Sequence, residues 1–99
     1  MAVKSSNPKI VMVKEKVTVQ NEAGLHARPS SVLVKAASKF KSEFFIKLHG
    51  YKVNGKSILG VMTLAAEHGA VLELILDGED EKEALETIKN LFRNKFIVD

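Results

Sequence analysis

Between Val11 and Val19 the odd positions Val11, Val13, Val17 and Val19 are apolar, while Lys14, Lys16, Thr18 and Gln20 are polar. That period of two predicts a strand with one buried face, broken only by Glu15. Asn21-Glu22-Ala23-Gly24 then connects to a stretch in which Val32, Leu33, Ala36, Ala37 and Phe40 recur at helical spacing. The helix is expected from about Ala27 to Lys39, with Pro29 in its first turn, where a missing N–H and a fixed φ do no harm. Phe44, Ile46 and Leu48 alternate with Glu43, Phe45 and Lys47, predicting a second strand that ends at a His49-Gly50 turn. Tyr51 and Val53 carry a short third strand up to the turn dipeptide Asn54-Gly55.

Ser57 follows as the expected N-cap of a two-turn helix through Ile58, Leu59, Val61, Met62 and Leu64, ended by Glu67-His68-Gly69. Val71 to Leu76 predicts a strand with Leu72, Leu74 and Leu76 on one side, closed by Gly78. The last helix opens with Glu79, Asp80, Glu81 and Glu83 and finishes with Lys89, Arg93 and Lys95, so its charges agree with its dipole. Ala84, Leu85, Ile88, Leu91 and Phe92 form its apolar face. The order βαββαβα predicts an α+β fold, one sheet with helices on a single face, in which the short link between the second and third strands favours antiparallel pairing. Residues 1–10 are polar, carry Pro8 and show no periodicity; they are expected to be a flexible arm before a single domain over 11–99.

Composition narrows the chemistry more than the fold. The chain has 99 residues, room for one core and no separate substrate domain. It contains no cysteine, which excludes disulfides, thiolate nucleophiles and Cys-ligated zinc, and its three histidines show no paired metal spacing. No metal site and no cofactor is expected. The net charge of +3 comes from Lys and Arg spread along the chain, which argues against a nucleic-acid partner. No apolar run reaches the length of a membrane span, and Met1 to Pro8 lacks the apolar block of a secretory signal, so a cytoplasmic location is expected.

Gly24-Leu25-His26-Ala27-Arg28-Pro29-Ser30-Ser31 puts an imidazole just where extended chain becomes helix. Imidazole changes protonation near neutral pH and is nucleophilic toward phosphorus. A helix start offers unpaired N–H groups and partial positive charge, so the amides of Ala27 to Ser30, Pro29 excepted, are expected to meet a phosphoryl group, with Arg28 as an added cation. The plainer reading, a polar loop histidine before a helix, stays open on these residues alone. No Walker-type loop, Mg²⁺-binding Asp pair or orienting acid accompanies His26, so an autonomous ATP-cleaving enzyme is disfavoured. A carrier whose chemistry other proteins complete fits better. Ser57 is the second candidate, a helix cap that phosphorylation would charge. Ile58, Leu59, Gly60, Val61 and Met62 hold more apolar side chains than one helix face can bury, which predicts an exposed patch for a protein partner. A plain cap at Ser57 and a core role for Met62 remain the alternatives. His49 and His68, beside turn glycines, are assigned no chemistry.

Together, Gly24-Leu25-His26-Ala27-Arg28-Pro29 and Asn54-Gly55-Lys56-Ser57-Ile58-Leu59-Gly60-Val61-Met62 resemble the two motifs of HPr, the histidine phosphocarrier family of the bacterial phosphotransferase system. The resemblance implies an open-faced β-sandwich of four antiparallel strands under three helices. It also implies phosphorylation of His26 on Nδ1 by phosphorylated enzyme I, transfer to IIA domains, assistance by Arg28, and shaping of the helix start by Pro29. Ser57 matches the serine phosphorylated by HPr kinase/phosphorylase, a modification that slows loading of the histidine and creates a ligand for transcription regulators. Ala27, Pro29, Ile58, Leu59 and Met62 inherit partner contacts, and a monomer is expected. Ala23 stands where many relatives carry Ser, Thr or Asn. The ending Leu91 to Phe96 is similar to that of NPr, the nitrogen-branch paralogue, so an NPr-like or purely regulatory phosphoprotein is the alternative. Intact Lys56 to Gly60 favours a kinase-regulated HPr.

Overall fold

A computed structural model describes residues 12–97. The expected arm, 1–10, and Val11 lie outside them. The elements run β1 (Val13–Thr18), α1 (Ala27–Ala37), β2 (Glu43–Leu48), β3 (Tyr51–Asn54), α2 (Ile58–Thr63), β4 (Val71–Asp77) and α3 (Glu81–Arg93). The four strands form one antiparallel sheet in the order β1-β4-β2-β3. The expected order of elements and the antiparallel pairing are those observed.

Register explains how the core closes. Leu76 lies between Val13 and Phe44, and Leu74 between Glu15 and Ile46, so the alternating residues of three strands meet on one face. Phe44, Ile46, Leu72, Leu74 and Leu76 are buried there beneath Leu33 of α1, Val61 of α2 and Ala84, Ile88 and Phe92 of α3. Each such Val, Leu, Ile or Phe side chain contributes about 1.5–3 kcal/mol by leaving water. Glu15, the break in the β1 pattern, faces the helices because Lys89 of α3 meets it at 2.8 Å. The hydrogen bond to Glu15 raises the Lys89 pKa above the usual lysine value. On the open face Lys16 and Lys47 flank Glu73 across three strands, an arrangement of opposite charges that favours this register.

Helix ends depart from expectation for identifiable reasons. Helix α1 stops at Ala37, short of Lys39, because the chain tightens: Lys39 N–H donates to Ala36 and Phe40 N–H to Ala37. Lys56 Nζ then donates to the Phe40 carbonyl at 2.7 Å, holding the end of α1. Helix α2 ends at Thr63, ahead of Glu67-His68-Gly69, and Ala65 turns the chain with φ +51°. Helix α3 starts at Glu81 rather than Glu79, and Glu81 is buried because its Oε1 accepts from Gly78 N–H at 3.0 Å. The Asp80 carboxylate leaves α3 uncapped. It accepts from Lys41 N–H at 2.9 Å, Ser42 N–H at 3.0 Å and Ser42 Oγ–H at 2.5 Å, fastening the start of β2 to α3. These bonds, the Ser42 hydroxyl first, lower the Asp80 pKa to about 2.

Candidate functional site

The loop before α1 is held peptide by peptide. Gly24 N–H donates to the Asn21 carbonyl at 3.0 Å, and Asn21 Nδ2 returns a bond to the Gly24 carbonyl at 2.6 Å. Gly24 takes φ +75°, and a Cβ there would overlap the Ala66 carbonyl, so only glycine fits. Leu25 is buried, its N–H bound to Ala66 at 2.9 Å and its carbonyl accepting from the Ser30 hydroxyl at 3.1 Å. Buried Ser30 thus secures the approach to the helix instead of facing a ligand.

His26 follows as the N-cap of α1, with extended backbone (φ −83°, ψ −164°), an exposed side chain and no side-chain capping bond. Its carbonyl takes the first helical bond, from Ser30 N–H at 3.0 Å. This corrects the expected set of phosphate-binding amides: Ser30 is engaged and Pro29 has no N–H, which leaves Ala27 and Arg28. Arg28 is exposed and makes no ion pair with a described carboxylate.

A cleft of about 350 Å³ opens at this point, lined by Asn21, Ala23, His26, Arg28, Pro29, Val32, Lys95, Phe96 and Ile97. Its charged residues are Arg28 and Lys95, with no carboxylate among the described lining. Asn21 Oδ1 is buried without a partner among the described residues. An accessible imidazole, two amides and two cations suit a dianionic group held in the open, and among the described residues that line the cleft no acid stands by to make His26 a general base. Asn21, Val32 and the segment Lys95 to Ile97 were not foreseen as site residues. The Asn21-to-Gly24 spacing, a side-chain amide before a turn, was the one available signal.

Ser57 stands apart from this cleft, at the start of α2, which packs on α1. Its backbone is extended and its Oγ accepts from Gly60 N–H at 3.0 Å, the expected cap. Val61 turns into the core, whereas Ile58, Leu59 and Met62 are 43%, 74% and 38% exposed, so the apolar patch beside Ser57 is real. His49 and His68 are exposed on turns and line neither region. Among the described residues no group of His, Asp or Glu could hold a metal ion, and no helix is long and apolar enough to cross a membrane.

One sheet under three helices, with a solvent-facing histidine beginning the first helix, is the architecture of a small phosphocarrier domain. Residues 13–94 match the family model described as the PTS HPr component phosphorylation site. The chain is 49% identical over 85 residues to the phosphocarrier protein HPr of Treponema pallidum, a match covering 86% of this chain and 97% of that one. Among solved structures, HPr-C-His from Thermoanaerobacter tengcongensis superposes with a TM-score of 0.83 at 38% identity, covering 88% of this chain and 98% of that one. Crh, the Bacillus subtilis catabolite repression containing protein, superposes with a TM-score of 0.67 at 41% identity, covering 88% and 99%; that structure is described as a dimer with a swapping domain. The chain belongs to the HPr family of phosphocarriers of the phosphotransferase system. A monomeric state does not follow from that membership, since a similar chain is dimeric.

Proposed function

We propose that His26 accepts a phosphoryl group on Nδ1 from phosphorylated enzyme I and passes it to IIA domains. The Nδ1 lone pair forms the new P–N bond as the bond between phosphorus and its carrier atom on enzyme I breaks. The proton of His26 stays on Nε2, and the departing group of enzyme I keeps the electron pair. Arg28 and the Ala27 and Arg28 amides meet the phosphoryl oxygens, while Pro29 holds the first turn that aims them. The observation carrying this reading is an exposed cap histidine whose side chain leaves those amides unclaimed, in a cleft whose described lining holds cations and no carboxylate. Purified phosphoprotein, freed of phosphoenolpyruvate and enzyme I, is expected to pass its label to a IIA domain. A loaded protein that passes it to no such domain would overturn the carrier reading, and which acceptor takes it separates sugar transport from an NPr-like role.

A regulatory role for Ser57 is the second reading, supported by the similarity to Crh and by the exposed Ile58, Leu59 and Met62 beside the cap. HPr kinase/phosphorylase would modify Ser57 Oγ, and the patch, with Ala27 and Pro29 at the histidine end, would contact enzyme I, the kinase or a transcription regulator. Ser57→Asp should slow loading of His26 and change affinity for such a regulator without unfolding the domain. Unchanged loading and affinity would sink this reading.

A further inference from the structure

The chain after α3 folds back toward the cleft. Asn94 ends the helix, and Lys95 and Phe96 both take left-handed backbone, φ +59° and +62°, a conformation usually left to glycine. The turn is fastened by Phe96 N–H, which donates to the Leu91 carbonyl at 2.8 Å and to Asn94 Oδ1 at 3.1 Å. The Phe96 ring is buried edge-on against Phe92, centroids 4.8 Å apart. Glycine at 95 would make the same turn with less strain. The lysine there instead brings an exposed cation to the lining of the cleft that holds His26 and Arg28. Like Arg28, Lys95 makes no ion pair with a described carboxylate, and Ala23 contributes no side-chain donor.

We propose that Lys95 is a second phosphoryl-binding cation, carried to the cleft by the left-handed C-terminal turn and acting with Arg28 on the group attached to His26. The inference rests on His26 as the phosphoryl acceptor and adds a ligand from the far end of the chain. A phosphohistidine dianion is more sensitive to a neighbouring cation than is free imidazole. Lys95 therefore favours the loaded form and lowers the pH at which the phosphoryl group takes up a proton. A cation that only complemented the negative end of α3 would do neither.

The test compares the full chain with Lys95→Asn, which keeps a residue tolerant of positive φ, and with Lys95→Arg, which restores charge. Each is loaded by enzyme I and phosphoenolpyruvate and titrated by ³¹P NMR. Lys95→Asn should load about three- to tenfold more slowly, the size expected for one partly solvated charge contact. Its phosphoryl titration should move to higher pH, and Lys95→Arg should recover both values. Loading and titration unchanged in Lys95→Asn would overturn the inference, as would a lowered melting temperature with an unmoved titration. Absence of label at His26 in the unaltered protein would instead defeat the reading on which it rests.

Discussion

Helices α1 and α2 both begin at a residue with extended backbone, yet they treat their first amides in opposite ways. Ser57 closes its helix by accepting from Gly60 N–H, whereas His26 makes no capping bond and leaves the Ala27 and Arg28 amides to an incoming group. Closure stabilises a short element beside an exposed apolar patch. Openness gives up a cap to keep donors available, and the loss is tolerated because the preceding loop is fixed from Asn21, Ser30 and Ala66. The difference separates a position suited to modification and docking from one suited to holding phosphate.

The strongest way to break the contrast is to disturb the frame behind His26. Gly24→Ala must relieve both a positive φ and an overlap with the Ala66 carbonyl, and is expected to cost about 2–4 kcal/mol in denaturant melts. A neutral result would show that the loop is not the rigid frame described. Ser57→Ala, which removes the cap of α2, should cost about 1 kcal/mol, and Ser57→Asp should restore most of it because a carboxylate still accepts from Gly60. Equal stability of the serine and alanine proteins would remove the closed half of the comparison. His26→Ser inverts the experiment: because Pro29 has no N–H where α2 offers Gly60, a serine could cap α1 only through Arg28 N–H, so it should gain no more than about 0.5 kcal/mol while abolishing phosphate acceptance.

Asp80 extends the contrast to the third helix, where the cap carboxylate is used at a distance. Its folded pKa of about 2 lies below the ordinary aspartate value of 3.8, so its stabilising effect is present above pH 4 and fades as pH falls toward 2. The melting temperatures of the unaltered protein and Asp80→Asn should converge over that window. A difference constant from pH 6 to pH 2 would contradict the role given to the Lys41 and Ser42 bonds.

What was legible in the sequence was periodic or local. Alternation at Phe44, Ile46 and Leu48 and at Leu72, Leu74 and Leu76 announced the sheet, and Ser57 announced its own cap. His26, Arg28 and Pro29 could be placed at a helix start because glycine and proline punctuate that boundary. What stayed hidden depends on contacts between distant segments. Asp80 looked like one of several acids facing the positive end of a helix, but its partners lie 38 and 39 residues away. Glu15 looked like an error in a strand until Lys89 came to meet it. Lys95 and Phe96 turn the chain without glycine, so nothing local marked the cleft wall they build. The expected Ser30 amide was lost to ordinary helix geometry, since the cap carbonyl claims it.

The central claim is that His26, at the uncapped helix start, is the phosphoryl acceptor. Incubation with phosphoenolpyruvate and catalytic enzyme I, followed by ³¹P NMR at neutral pH and again after mild acid, tests it directly. The account predicts one acid-labile phosphohistidine resonance in the unaltered protein and none in His26→Ala, whose melting temperature should stay close to the original. The same resonance persisting in folded His26→Ala would contradict it.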